Sequence, residues 1–188
     1  MNTAKTRILR DVFFYVVTFC CLSTIAVICY LTMQSGHETL STQALVVSLF
    51  PKAFPENYDS RLWMSLGLNG ARKLAHIYEF GALSFFSTLM ILFAPSTKDE
   101  IKFDKSRSVI KSFILSVSFC FICSFTDQVH KIFVMYRHFD VADLRLDAIG
   151  YVLAAFITCS VYCIVRFLLS KPSPSSVFQT KVLSSNMI

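Results

Sequence analysis

The chain has 188 residues, room for one domain, and is 54% hydrophobic with a mean hydropathy of +0.56. Only 16% of it is charged, well short of the roughly 25% usual in a water-soluble domain. The net charge of +6 is spread among loops rather than gathered in a stripe, so no nucleic-acid partner is expected; anionic lipid headgroups suit it better.

A spanning helix needs roughly 20 mainly apolar residues, about 17 at the least. Val12–Met33 qualifies without a single formal charge. Its basic leader (Lys5, Arg7, Arg10) would suit a secretory signal. The apolar run exceeds the roughly 7–15 residues of a signal core, however, and no Ala-x-Ala pattern follows, so an uncleaved membrane helix is expected. Gln34–Arg72 comes next, and within it Ala44–Phe50 is apolar but too short to cross. Pro51, Pro55, Tyr58 and Trp63 follow, which fits an interfacial or re-entrant segment, either a lid or a loop lying flat on the bundle.

Lys73–Ala94 is long enough to span but carries His76 and Glu79, and Pro95 ends it. The mixed charges of Ser96–Ser108 read as a solvated connection. Val109–Phe125 has only Lys111 near one end, and Ala148–Val165 has no charge at all. The Pro- and Ser-rich tail from Lys171 reads as disordered.

The expectation is an all-α polytopic membrane bundle of four transmembrane helices, at about 12–33, 73–94, 109–129 and 147–169. They form one domain over residues 1–170, with 171–188 as a cytoplasmic tail. Eleven Lys and Arg residues fall on the side of the amino-terminal tail and seven on the other. Both termini are therefore expected in the cytoplasm, with a long outer loop between helices 1 and 2. The seven cysteines all lie inside these spans. Cys120-x-x-Cys123 sits in an apolar helix without a second pair, so packing rather than zinc, redox chemistry or a disulfide framework is expected.

Ionisable residues at the span ends carry the functional signal. A charge at the centre of a bilayer helix costs about 2.5–3.5 kcal/mol on insertion scales. Arg72, His76 and Glu79 share one face of helix 2 by spacings of four and three. Asp127, His130 and Lys131 are related in the same way at the end of helix 3, and Asp140, Asp143 and Asp147 just before and within helix 4. Such stripes turn inward, because lipid cannot satisfy them. His76 and Glu79 are candidate acid/base groups, since a desolvated carboxylate becomes a usable acid or base. Equally, Glu79 pairing with Arg137 or Arg72, and His76 with Asp143 or Asp147, would only hold the bundle together.

Asp127, Asp143 and Asp147 with His76 or His130 would suit magnesium, manganese or zinc. Arg72, Lys73, Lys131 and Arg137 compete for those carboxylates, so no metal and no cofactor is expected. Arg137 and Lys131 are candidates for clamping a phosphate or carboxylate. Asp140 reads as a solvated loop residue or a helix cap, and His37 and His138 as exposed loop histidines. No Ser, Cys or Thr has the turn chemistry of a nucleophile elbow.

These residues also carry a resemblance. Arg72-Lys73-x-x-His76-x-x-Glu79-Phe80 resembles the (R/K)K-x-x-H-x-x-E-(Y/F) motif of VanZ-like membrane proteins. Asp127-Gln128-Val129-His130-Lys131-Ile132-Phe133 is similar to that family's DE-h-HQ-h-F segment. It continues through Arg137 to Asp143-x-x-x-Asp147-x-x-Gly150, similar to an R-x5-D-x3-D-x2-G ending. Met33-Gln34-Ser35-Gly36 weakly resembles the Ser-Gln-x-Gly stretch after the family's first helix, so the likeness covers about residues 30–155. Three departures stand out. Gln128 replaces a frequent Glu and removes a carboxylate, Lys131 replaces Gln and adds a positive charge, and Met135-Tyr136 replaces the usual Pro-Gly.

The resemblance implies a small multi-pass protein of the bacterial cell (inner, cytoplasmic) membrane, in a family linked to glycopeptide (teicoplanin-type) resistance. The expected reading is an outer-face polar site that binds or processes a lipid-linked phosphate or glycan precursor. Within it His76, Glu79 and Asp147 are the catalytic candidates, and Arg72, Lys73, Asp127, His130, Arg137 and Asp143 the binding ones. Membrane lipids are the expected partners, and self-association is left open. The alternative is a non-catalytic scaffold or binding protein whose intramembrane charges only hold the helices together. Transport ranks last, because no discontinuous helix is visible.

Overall fold

The computed structural model describes residues 3–35, 71–94 and 105–169, with isolated positions between 38 and 48. Among the described residues there is no strand, and the chain forms four long helices: α1 (Thr3–Met33), α2 (Ala71–Phe93), α3 (Lys105–Lys131) and α4 (Val141–Leu169). All four are long and apolar enough to cross a membrane. Apart from Leu45 and Ser48, the Ala44–Phe50 segment expected as a lid or a loop lying flat on the bundle, together with most of the loop expected on the outer side and the tail from Lys171, lies outside the described residues.

The helices run past the apolar stretches that announce them. α1 starts at Thr3 rather than near residue 12, taking in the basic leader. α4 starts at Val141, six residues ahead of Asp147, because Asp140 caps it. The Asp140 side chain accepts the Ala142 N–H at 2.8 Å, and its carbonyl accepts the Leu144 N–H at 3.3 Å. Asp140 is therefore a cap, and Asp143 in the first turn adds a favourable charge at the helix amino terminus. Beyond α1, Ser35 and Glu38 exchange capping bonds: the Ser35 N–H donates to Glu38 Oε2 at 2.7 Å and the Glu38 N–H to Ser35 Oγ at 3.4 Å.

The burial pattern is that of a membrane protein. Large apolar side chains such as Phe19, Leu22, Phe156 and Phe167 are exposed, while Lys131, Gln128, Asp147, Ser84, Ser87, Ser116 and Ser124 are fully buried. Polar-in and apolar-out is the stable arrangement in hydrocarbon, where only neighbouring helices can satisfy a polar group. Small hydroxyls stitch the interior. Ser84 donates to the Tyr151 carbonyl at 2.7 Å, the Ser87 and Ser116 hydroxyls meet at 2.6 Å, and Thr88 donates to Ser116 at 2.8 Å.

α2 is the central helix, packing on α4 along the longest interface and also touching α1 and α3. Glycine makes the α2–α4 contact possible. A Cβ on Gly150 would lie 2.4 Å from the Ile77 carbonyl oxygen, while one on Gly81 would sit 3.6 Å from the Gly150 oxygen. At one end of the bundle Phe93 packs edge-on against Phe13 and Tyr162, with centroids 4.8 and 5.9 Å apart. The other end is polar.

Candidate functional site

The polar end is where α1 and α3 finish and α2 and α4 begin. Thr32 comes from the last turn of α1, His76 from the second turn of α2, Asp127 and Lys131 from the end of α3, and Asp143 and Asp147 from the start of α4. Spacings of four within α3 and α4 put each of those pairs on one face. Asp147 lies six residues inside α4, or about 9 Å along its axis at 1.5 Å per residue. The cluster is thus below the surface of the bundle end yet close to it.

His76 is clasped by both aspartates of α4. Its Nδ1 lies 2.9 Å from Asp147 Oδ1, and its Nε2 lies 3.2 Å from Asp143 Oδ2. The second oxygen of Asp147 accepts the Ser124 hydroxyl at 2.6 Å. Asp147 is thereby satisfied at both oxygens and fixes the ring, as a carboxylate behind a working imidazole does. An Nδ1–H bonded to Asp147 leaves Nε2 as the exchangeable nitrogen, facing Asp143 and Lys131.

Lys131 is the centre of the cluster and is 1% exposed. Its ammonium lies 3.0 Å from Asp127 Oδ2, 3.3 Å from Asp143 Oδ2 and 3.4 Å from His76 Nε2. Asp127 in turn accepts the Thr32 hydroxyl through Oδ1 and the Gln128 amide at 3.4 Å through Oδ2. The Gln128 carbonyl oxygen accepts the backbone N–H of Asp140 at 3.3 Å, tying the cluster to the cap of α4. One connected polar network therefore crosses all four helices. Buried charges this close survive only when paired and hydrogen-bonded.

The sequence-predicted residues divide into two groups. His76, Asp127, Asp143 and Asp147 come together in the cluster. Glu79, one turn beyond His76 on α2, is partly buried and has no hydrogen-bond partner among the described residues. Lys73 is also partly buried, and the side chain of Arg72 lies outside the described residues. His130 is exposed, on the side of α3 that faces α1. Arg137 turns its Nη1 to the end of α1, donating to the carbonyls of Leu31 at 3.0 Å, Thr32 at 3.1 Å and Gln34 at 3.4 Å. A guanidinium on the open carbonyls of a helix carboxyl terminus is a favourable cap.

Charge counting alone misses Ser124, Thr32 and Gln128 and undervalues Lys131. The available signal is that Ser124, Asp127, Gln128 and Lys131 repeat at helical spacing on one face. A divalent cation has partial provision: His76, Asp127 and Asp147 offer ligand atoms within 4.8 Å of one another. The Lys131 ammonium already supplies positive charge to Asp127 and lies against His76 Nε2, where a cation would have to bind. Among the described residues the seven cysteines are free thiols, and Cys120 is buried.

The profile of the VanZ/LLP1 family matches residues 13–166, a stretch that holds every residue of the cluster. None of the curated proteins and none of the solved structures compared with the chain matches it.

Proposed function

The chain belongs to the VanZ/LLP1 family and is a multi-pass membrane protein, and on that footing we propose that its polar cluster binds, and by acid–base chemistry processes, the head of a lipid-linked phosphate or glycan precursor of the cell envelope. The observation that carries this reading is His76 held through Nδ1 by the doubly bonded Asp147, with Nε2 turned to Asp143 and the Lys131 ammonium. An imidazole so oriented is a proton donor or acceptor of fixed direction. Lys131 is a donor for phosphate oxygens, and the carboxylates are acceptors for sugar hydroxyls. Glu79, unbonded among the described residues and one turn away, is the second acid–base candidate. Placement in the cytoplasmic membrane, with the cluster at its outer face, and a link to glycopeptide response belong to the same proposal.

Native mass spectrometry of the detergent-purified protein tests it, wild type beside Asp147→Asn. Retention of one phospho- or glycolipid head class by the wild type, lost in the folded variant, supports the head site. The same lipids at the same occupancy in both would overturn it.

The alternative is a non-catalytic scaffold, and full internal pairing is the observation in its favour: Lys131, Asp127, Asp147 and His76 each have partners inside the bundle. Bundles do use such networks to fix helix register. A scaffold loses abundance when the cluster is altered. A working site loses its cellular phenotype at normal abundance.

A further inference from the structure

A groove of about 320 Å³ runs along the outside of the bundle between α1 and α3. Ile25, Ile28, Cys29 and Met33 of α1 face Ile122 and Cys123 of α3, with Leu83 of α2 behind them. Its floor belongs to the core, since Leu83 is fully buried and Ile28 nearly so. Its rim is exposed: Met33 and Ile122 stand well clear of their neighbours, and Cys29 is open. The polar lining gathers at one end, where Thr32, Thr126, Asp127 and His130 lie.

Two features identify the occupant. α1 and α3 are alternate members of an up-and-down bundle and run parallel, so Ile25 to Met33 and Ile122 to His130 ascend side by side. Eight residues of helix make a slot about 12 Å long, lying along the membrane normal. The apolar end is deep in the spans Arg7–Met33 and Val109–Lys131, and the polar end is at their boundary. That is the polarity profile of a lipid, chain inward and head at the interface.

We infer that this groove is the tail site for one hydrocarbon chain of a membrane lipid, entering sideways from the bilayer between α1 and α3. The inference rests on the reading that the cluster handles the head of the same molecule, and Asp127 joins the two. Its Oδ1 takes the Thr32 hydroxyl on the groove side, and its Oδ2 takes the Lys131 ammonium on the cluster side. A head lodged against Asp127 and His130 is therefore one hydrogen bond from Lys131, which in turn contacts His76 Nε2. Mostly apolar walls with a few convergent polar groups, set between bundle helices, are the usual form of a small-ligand site.

The test is lipid retention through detergent washing, read by native mass spectrometry on the full chain. Ile122→Trp fills the mouth of the groove, and because Ile122 is 62% exposed the change does not disturb the core. Ile122→Phe is a milder version, and Leu153→Trp, exposed on α4, which contributes no residue to the groove, is the control. Wild type and Leu153→Trp are expected to keep one lipid per chain, and Ile122→Trp to lose it at least tenfold. Equal retention by all of them would overturn the tail site, even where Asp147→Asn still shows the head site. Loss with Ile122→Trp but not with Asp147→Asn would leave the groove standing and remove the head site instead.

Discussion

Lys131 and Asp143 meet across the α3–α4 interface, Nζ to Oδ2 at 3.3 Å, with only 1% and 3% of each residue exposed. A lysine so deep is tolerated because Asp127, one turn back on its own helix, takes a second contact at 3.0 Å. Removing one partner of a buried ion pair strands the other, typically at about 3–5 kcal/mol. Lys131→Met is expected to destabilise the bundle by that amount, measured by unfolding in mixed SDS micelles. Asp127→Asn in the same chain should restore part of the loss, because one stranded charge is then gone. An additive double variant would show that the two residues are not coupled.

Glu79 sits differently. It is partly buried one turn from His76 and has no hydrogen bond among the described residues. Glu79→Gln keeps the shape, removes a charge from a partly buried site and strands no hydrogen-bond partner among the described residues, so folded stability is expected to hold or rise. If the acid–base reading is right, the variant accumulates normally in the membrane and loses its cellular phenotype. A parallel fall in abundance, by immunoblot of membrane fractions, would favour the scaffold.

Much of this was legible in the sequence, and the reasons for the gaps are physical. Hydropathy locates all four helices, since a run without charge such as Ala148–Val165 has few other uses. It misplaces the start of α4, because Asp143, Arg145 and Asp147 interrupt the apolar signal while Asp140 caps the helix earlier. Helical spacing groups Asp127 with Lys131 and Asp143 with Asp147 on single faces, and the fold then brings both pairs to His76. It cannot single out Ser124 or Thr32, since hydroxyls are frequent in these spans and only the fold decides which one meets a carboxylate. Arg137 is the other lesson: its Nη1 bonds go to backbone carbonyls of α1, which no pairing of charged side chains reveals.

Close approach of α2 and α4 turns on one glycine more than the other. At Gly150 a Cβ would collide with the Ile77 carbonyl oxygen at 2.4 Å, and backbone cannot step aside as a side chain can. Gly150→Ala is expected to cost about 3 kcal/mol or more, at the upper end of overpacking effects, and to loosen His76 from Asp147. At Gly81 the nearest contact would be 3.6 Å, an ordinary van der Waals distance. Gly81→Ala should be neutral, or stabilising by about 0.5–1 kcal/mol through helix propensity. The pair of SDS-unfolding curves checks both, and similar losses would refute the asymmetry.

Tyr136 offers the last test, in the turn that leads from α3 to α4. Its φ is 60°, in the left-handed region, and it alone is recorded there among the described non-glycine residues. A Cβ costs roughly 1–2 kcal/mol in that conformation, which glycine avoids. This is also the place where VanZ-like sequences usually carry the Gly of Pro-Gly. The tyrosine ring is largely exposed but makes interactions of its own, so replacing it outright mixes two effects. Tyr136→Gly against Tyr136→Ala separates them, since both remove the ring and only alanine keeps the Cβ. The glycine variant is expected to be the more stable by about 1 kcal/mol in paired thermal or SDS melts. An alanine variant of equal or greater stability would mean that the turn does not hold its left-handed geometry under the conditions of the measurement.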